Sequence, residues 1–413
     1  TNDMVAVSVP TSTSTEPLPL DWTRVQPADI PHKDENDDED HHDIATDAHA
    51  GQHPVVRFPW EVTQIDKNEQ EVLCVVGTAG QKITRMGHNL GQYCSPNLKK
   101  LIFRCNVIRV MEGLHTFEHL ELLELYDNMI ETLGALNEGR DGTPGTSLKV
   151  LDMSYNVIRD MKPVSFCPNL TELYLAQNKI KTMAGLSSLK QLVKIDLGAN
   201  RLREMDPNEL SGLTNLQELW LGKNKIEKIQ GLEKLTNLRR LDVQSNRLTQ
   251  IEGLEAQVDI LEELYLAHNG IDNEGASLGL SLPFTKLSTI DLGRNLLTST
   301  EPFAHMTILE DLWISGNKIQ TFDQVQPISH LSSLEVVYLE YNPVADDFEY
   351  RKKLKDMIPS LKQIDANMIR GDGSGGGGGG GKAETLQEQM QRLQDKALKK
   401  AKQQQAQAQE KEQ

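Results

Sequence analysis

The residues of this sequence whose types and spacing could do chemistry are acids and aromatics. Asp152, Tyr174, Asp196, Trp220, Asp242, Tyr265, Asp291 and Trp313 alternate without exception at intervals of 22 to 26 residues, and Tyr338 follows. The chemistry open to such a row is recognition rather than catalysis. Trp and Tyr dominate binding hot spots, and carboxylates complement a basic surface. Catalytic carboxylates need a closed pocket to shift their pKa, whereas these are expected to stand exposed and evenly spaced. The chain has no Gly-rich phosphate loop, no H-E-x-x-H or G-x-S-x-G motif and no paired-cysteine metal site. It is therefore read as a non-enzyme, with no cofactor and no metal.

The elements that must position these residues are repeats. The phrase leucine-x-x-leucine-x-leucine-x-x-asparagine is written eleven times between Leu98 and Asn342, ending at Asn106, Asn128, Asn156, Asn178, Asn200, Asn224, Asn246, Asn269, Asn295, Asn317 and Asn342. A period of 22 with occasional extensions is the signature of a leucine-rich-repeat solenoid, an α/β fold. A right-handed horseshoe is expected, with a parallel concave sheet and short helical or 3₁₀ returns on the convex side. In the copy Leu216–Asn224, Leu219 and Leu221 alternate with Glu218, Trp220 and Gly222, so the leucines point inward and the others onto the concave face. Asn224 is expected to turn the chain, its amide bonding to backbone groups that the strand leaves unpaired. Ile226, Ile229, Leu232 and Leu235 follow three apart, which suits the return.

Each member of the row thus takes the centre of one concave strand. At about 4.8 Å per strand the row runs about 45 Å, with its acids about 10 Å apart. That is about one Debye length, which limits self-repulsion while keeping a negative field. The residues two positions earlier add Glu172, Glu218, Glu263 and Asp311 against Lys194 and Arg240, an acidic balance.

Charge and cysteine usage narrow the partners. A net charge of −17 over 413 residues argues against nucleic acid and for a basic protein surface. The four cysteines, Cys74, Cys94, Cys105 and Cys167, have no paired spacing, so a reducing compartment is expected. No apolar run approaches the roughly 20 residues that span a bilayer, and no membrane association is expected.

Along the chain, residues 1–56 read as a disordered acidic tail, with the run Asp34-Glu35-Asn36-Asp37-Asp38-Glu39-Asp40. His41, His42, Asp43, Asp47, His49 and His53 belong to that solvated tail rather than to a metal site, since nothing nearby could build a second shell. The solenoid is assigned to 57–342, beginning with a degenerate repeat from Glu71 to Gly91. Extra residues at Gly139–Gly145, Asn273–Lys286 and around Gln324 and Pro327 should form loops or longer returns at the solenoid's edge. Residues 343–370 read as a C-terminal cap whose Phe348, Leu354, Met357 and Ile358 cover the last repeat. A Gly-rich linker (371–381) and a Gln/Lys-rich tail (382–413), disordered or weakly helical, follow.

The late phrases Leu219-Trp220-Leu221-Gly222-Lys223-Asn224-Lys225-Ile226, Leu264-Tyr265-Leu266-Ala267-His268-Asn269-Gly270-Ile271 and Val337-Tyr338-Leu339-Glu340-Tyr341-Asn342-Pro343, with the ending Gln363-Ile364-Asp365-Ala366, resemble the regulatory subunit 7 family of protein phosphatase 1. The resemblance covers about Glu71 to Arg370. It implies a regulatory subunit, monomeric when free, that holds the phosphatase catalytic subunit on its concave face in nucleus and cytoplasm. Maturation, localisation and mitotic control of the enzyme, and a three-way complex with a second phosphatase inhibitor, are implied with it. The family's contact positions fall on Asp152, Tyr174, Asp196, Trp220, Asp291, Asp311, Trp313 and Tyr338. Asp242 departs from the family and completes the alternation, and Tyr265 completes the row. Val56-Arg57-Phe58 looks like a short phosphatase-docking peptide but lacks the preceding basic residue. The other class of function to weigh is a cytoskeletal, centrosomal or spliceosomal scaffold. Eleven repeats are too many for the spliceosomal kind, and acidic tubulin would be repelled by an acidic face.

Overall fold

The computed structural model describes residues 71–77, 82–87, 90–94, 97–137 and 145–369, together with the backbone of short strands at Val5–Ala6, Arg24–Val25 and Thr63–Ile65. The histidine-rich stretch, Val56-Arg57-Phe58, most of 1–56, the loop at 138–144, the Gly-rich linker and the Gln/Lys-rich tail lie outside the described residues.

From Leu122 onward each repeat contributes one three-residue strand to a single, mainly parallel sheet. The strands run Leu122–Glu124, Val150–Asp152, Glu172–Tyr174, Lys194–Asp196, Glu218–Trp220, Arg240–Asp242, Glu263–Tyr265, Thr289–Asp291, Asp311–Trp313 and Val336–Tyr338. Lys100–Arg104 precedes them and pairs in parallel with Glu71–Val76, the strand of the degenerate repeat. Strand order follows chain order throughout this parallel part, as it must where each coil can stack only on its neighbours. The leucines at the middle of each strand, such as Leu173, Leu219, Leu264 and Leu312, are fully buried and belong to one continuous core reaching from Leu73 to Ile364. The fold is a leucine-rich-repeat solenoid.

The asparagines hold the coils together by a repeated set of bonds. Asn224 Oδ1 accepts from Leu202 N at 3.0 Å, while its Nδ2 donates to Leu197 O and Leu221 O, each at 3.0 Å. The same pattern recurs at Asn156, Asn178, Asn200, Asn295 and Asn317. Each asparagine thereby satisfies backbone groups on two adjacent coils that would otherwise be buried without partners. The residue just before it takes a positive φ, for example Tyr155 at 60°, Lys223 at 55° and Arg294 at 53°. This left-handed step, which the sequence reading did not foresee at non-glycine positions, swings the asparagine side chain back under the strand.

The convex returns vary. The stretch from Lys225 to Leu235, expected to be 3₁₀ or helical, is neither: it is irregular as far as Gln230, bends at Gly231 and makes one turn at Glu233–Lys234, and Gly231 has φ 78°. A Cβ at that glycine would also lie 2.8 Å from Pro207 Cα, so only Gly fits. The insertion at Asn273–Lys286 forms an α-helix, Asn273–Leu280, capped by Asp272 Oδ1 accepting from Gly275 N at 2.9 Å. The stretch around Gln324 and Pro327 forms two 3₁₀ turns, Phe322–Gln324 and Gln326–Ile328.

At the C-terminal end, the helix Tyr350–Met357 buries Tyr350 and Leu354 over the last coil, and Gln363–Ile364 adds a final parallel strand. Asn367–Met368 turns back antiparallel and ends the ladder. Phe348, expected to cover the last repeat, is instead fully exposed. The helix starts two residues beyond it, so Phe348 falls outside the helical spacing that was assumed.

Candidate protein-binding face

The strand register places the acids and aromatics side by side in one row. Asp152 pairs with Tyr174, Tyr174 with Asp196, Asp196 with Trp220, and Trp220 with Asp242. Asp242 pairs with Tyr265, Tyr265 with Asp291, Asp291 with Trp313, and Trp313 with Tyr338. One concave row holds all nine, and Asp311 stands two residues before Trp313 on the same strand.

The aspartates are less exposed than expected. Asp196, Asp291 and Asp152 are half-buried, and Asp242 is 3% exposed. Two causes act together. In each, Oδ1 accepts from the backbone N–H two residues on: Asp152 from Ser154, Asp196 from Gly198, Asp242 from Gln244 and Asp291 from Gly293, all at 2.9 Å. The strand-edge N–H is thus capped by the side chain itself, and the carboxylate is drawn down against the sheet. Glycine suits the capped position because a Cβ at Gly198 or Gly293 would lie 3.1 or 3.2 Å from the aspartate oxygen. Strand register also sets an aromatic beside each aspartate, on both sides of Asp196, Asp242 and Asp291 and on one side of Asp152. Loss of water raises the carboxyl pKa of Asp196, and raises those of Asp242 and Asp291 to about 7 and about 6. Neighbouring Asp196 and Asp291 push Asp242 further upward.

The residues two positions before the centre form a second, interlocked row. Tyr174 Oη donates to Glu172 Oε2 at 2.6 Å, Trp220 Nε1 to Glu218 Oε2 at 3.2 Å, and Tyr265 Oη to Glu263 Oε2 at 2.7 Å. Lys194 Nζ lies between two rings, 5.6 Å from the Tyr174 centroid and 5.7 Å from that of Trp220, and 3.3 Å from Glu218 Oε2. Arg240 stacks 5.3 Å over Trp220 and holds Glu263 with two bonds of 2.7 and 2.8 Å. All four acids that gave the face its acidic balance are therefore engaged inside the protein, Asp311 Oδ2 accepting from Thr289 Oγ1 at 3.4 Å. The net field over the first half of the face is weaker than the residue count implies, because the cations lie on the acids rather than merely near them.

The C-terminal part of the face differs. Thr289 occupies the register position that Lys194 and Arg240 occupy in the earlier coils, between Glu263 and Asp311. With no long cation between them, the rings of Tyr265 and Trp313 close to 6.1 Å between centroids, and Trp313 meets Tyr338 edge-on at 5.7 Å. Tyr338 Oη accepts from Gln363 Nε2 at 2.7 Å, which ties the cluster to the cap. Trp313 Nε1 is buried without a hydrogen-bond partner, as is Ser315 Oγ two residues on. The clustering of Tyr265, Trp313 and Tyr338 was not readable from the sequence, where an acid separates the first two. The Thr at 289 was its only signal.

Among the described residues no cluster of His, Cys, Asp and Glu could hold a metal ion. The cysteines there are free thiols, and burial pushes those of Cys94 and Cys167 up to about 12.

Comparisons with known proteins agree with this geometry at the level of the repeat. The model "Leucine Rich repeats (2 copies)" matches residues 146–187 and 214–256, and two further models described as leucine rich repeat match 168–226 and 261–278. The chain is similar to the 187-kDa microtubule-associated protein AIR9 of Arabidopsis thaliana, 35% identical over 95 residues, which is 22% of this chain and 5% of that protein. It is similar to the protein phosphatase 1 regulatory subunit pprA of Dictyostelium discoideum, 36% identical over 62 residues, 15% of this chain and 18% of that protein. The chain thus spans less than a fifth of the length of either relative. Among solved structures, an internalin from Listeria monocytogenes superposes with a TM-score of 0.59 at 22% identity, covering 75% of this chain and 85% of that one. The chain shares its solenoid fold with the internalin and has a partial likeness in sequence to a phosphatase 1 regulatory subunit.

Proposed function

We propose that the protein is a non-enzymatic regulatory subunit that holds the catalytic subunit of protein phosphatase 1 across its concave face. The observation that carries the reading is the in-register row ending in the cluster Tyr265, Trp313 and Tyr338, flanked by Asp291 and Asp311. Aromatic anchors ringed by polar groups are what a hot spot requires, and the acids suit a basic partner. The likeness to a phosphatase 1 regulatory subunit supports the choice of partner. On this reading the protein acts in the nucleus and cytoplasm, in maturation or mitotic control of the enzyme. It is monomeric when free and can admit a second phosphatase inhibitor into the complex.

Calorimetric titration with purified phosphatase 1 catalytic subunit, metal-loaded and metal-depleted, tests the proposal. Tight binding by the wild type, weakened by about 2 kcal/mol or more in a folded Trp313→Ala variant, is the expected result. A preference between the two preparations separates an inhibitor from a maturation factor. No binding to either preparation overturns the reading and favours a scaffold for a cytoskeletal protein, the second reading that the likeness to a microtubule-associated protein supports.

A further inference from the structure

Cations gather on one flank of the solenoid, although the chain as a whole carries a net charge of −17. After each asparagine the chain leaves the concave sheet, and its first residue donates a backbone N–H to the coil before. Lys179 donates to Ile158 O, Arg201 to Ile180 O, Lys225 to Leu202 O and Arg247 to Ile226 O, all at 2.8 Å. This second ladder stacks four cations on successive coils. Ile180 and Leu202, next in line, are fully buried, so alternation returns Lys181 and Arg203 to the same outer side, where both are exposed. Two acids stand among these cations, Glu204 and Glu227, and Glu227 Oε1 lies 3.8 Å from Arg247 Nη1. Like charges on neighbouring strands destabilise a sheet, so the flank calls for anions beyond those two.

The chain's own run Asp34-Glu35-Asn36-Asp37-Asp38-Glu39-Asp40 supplies such anions, and the chain sets out toward it from the same flank. The strand Arg24–Val25 pairs antiparallel with Lys82–Ile83, Val25 opposite Lys82. Ile83 belongs to the ladder that carries the cations: Val107 N donates to Ile83 O, Met129 N to Ile108 O, Val157 N to Ile130 O and Lys179 N to Ile158 O. Lys179 therefore stands about 19 Å along the ladder from Ile83, at about 4.8 Å per coil. The chain from Val25 to Asp34 can span up to about 30 Å, so the first acid of the run can reach Lys179. The run itself can span about 20 Å, against about 14 Å from Lys179 to Arg247. We propose that Asp34–Asp40 docks along this flank, its carboxylates on the ladder of Lys179, Arg201, Lys225 and Arg247. Arginines hold carboxylates in a fork and lysines as point charges, so the ladder accepts an acidic segment without demanding one register. Docking neutralises the ladder in the free protein. An outside acidic segment then gains the flank only by displacing the chain's own.

The test is carbodiimide cross-linking of the dilute full chain, which joins a carboxylate to a lysine amine in contact with it, read by peptide mass spectrometry. Links from residues 34–40 to Lys179, Lys181 and Lys225 are expected, outnumbering links to the exposed cap lysines Lys352 and Lys362. They should vanish in about 1 M salt, where the screening length falls to about 3 Å. Links spread evenly over flank and cap, or none to the flank, overturn the proposal. A second measurement follows the blocked peptide Asp-Glu-Asn-Asp-Asp-Glu-Asp by fluorescence anisotropy. A full chain with the acids of the run changed to Asn or Gln should bind it several-fold more tightly than wild type does. Adding Lys179→Glu, Lys181→Glu and Arg203→Glu should abolish that binding. Equal or absent binding in wild type and the neutralised chain overturns the proposal, because the run then does not occupy the flank. The cross-links are read on the wild type, so a misfolded variant does not spare the proposal. The flank lies outside the concave face, and neither measurement depends on what that face binds.

Discussion

The hydroxyl of Tyr350 lies 3.2 Å from both carboxylate oxygens of Asp365, inside the C-terminal end of the solenoid. Asp365 Oδ1 also accepts from the backbone N–H groups of Leu339 and Glu340 at 2.9 and 3.0 Å, and Arg351 approaches Oδ2 at 3.7 Å. With φ 52° at Asp365, this arrangement does for the last coil what an asparagine does for each earlier one, tying the backbone of one turn to the next. The cap helix supplies the tyrosine that completes it.

Tyr350→Phe is therefore expected to loosen the last coils. Asp365 is 1% exposed, so a lost bond leaves charge less well satisfied in a dry site, at about 1–3 kcal/mol. Hydrogen exchange should quicken from Leu339 onward while the coils around Trp220 keep their protection. Uniform loss of protection along the chain would show that the cap and the middle coils unfold as one unit.

Asn224→Ala should cost about 2–3 kcal/mol, because it leaves Leu202 N and the Leu197 and Leu221 carbonyls without their side-chain partner inside the core. Urea unfolding checks this. A cost below about 0.5 kcal/mol would mean that water replaces the amide.

Lys223 is half of the opposite experiment. At φ 55° a side chain pays a steric penalty that glycine avoids, so Lys223→Gly is expected to raise stability by up to about 1 kcal/mol and Lys223→Val to lower it. Equal melting temperatures for the two variants would contradict the assignment of strain to this position.

Asp242 sets a pH dependence whose sign follows from burial. Its folded-state pKa, about 7, lies above the ordinary aspartate value of 3.8, so the folded protein holds a proton that the unfolded chain releases. Stability from this group is full below about pH 4 and declines as pH rises to about 7. Asp242→Asn keeps an oxygen to accept from Gln244 N and cannot ionise. It is expected to stabilise the protein at pH 8 by up to about 4 kcal/mol and to change little at pH 4. Urea midpoints at the two pH values decide the matter, and an equal effect at both would show that Asp242 does not change its ionisation on folding.

The repeat made the fold legible from the sequence alone. Leucines at the two inner positions of each strand and an asparagine at its end allow only a stack of coils, because a single coil can bury neither. The membership of the row from Asp152 to Tyr338 followed from the same period, since alternation along a strand fixes which residues share a face. What those residues do to one another was decided in three dimensions. Asp196 and Asp242 became caps of the strand edge because the backbone N–H two residues on lies within reach only in this curved strand. Glu218 and Glu263 were taken up by Lys194 and Arg240 because parallel register brings residues from different coils side by side. Tyr265 and Trp313 met across Asp291 for the same reason, through the absence of a long side chain at Thr289. A period in the sequence specifies which side chains share a surface. Contacts between side chains on neighbouring coils depend on their reach and lean, and only the folded stack sets those.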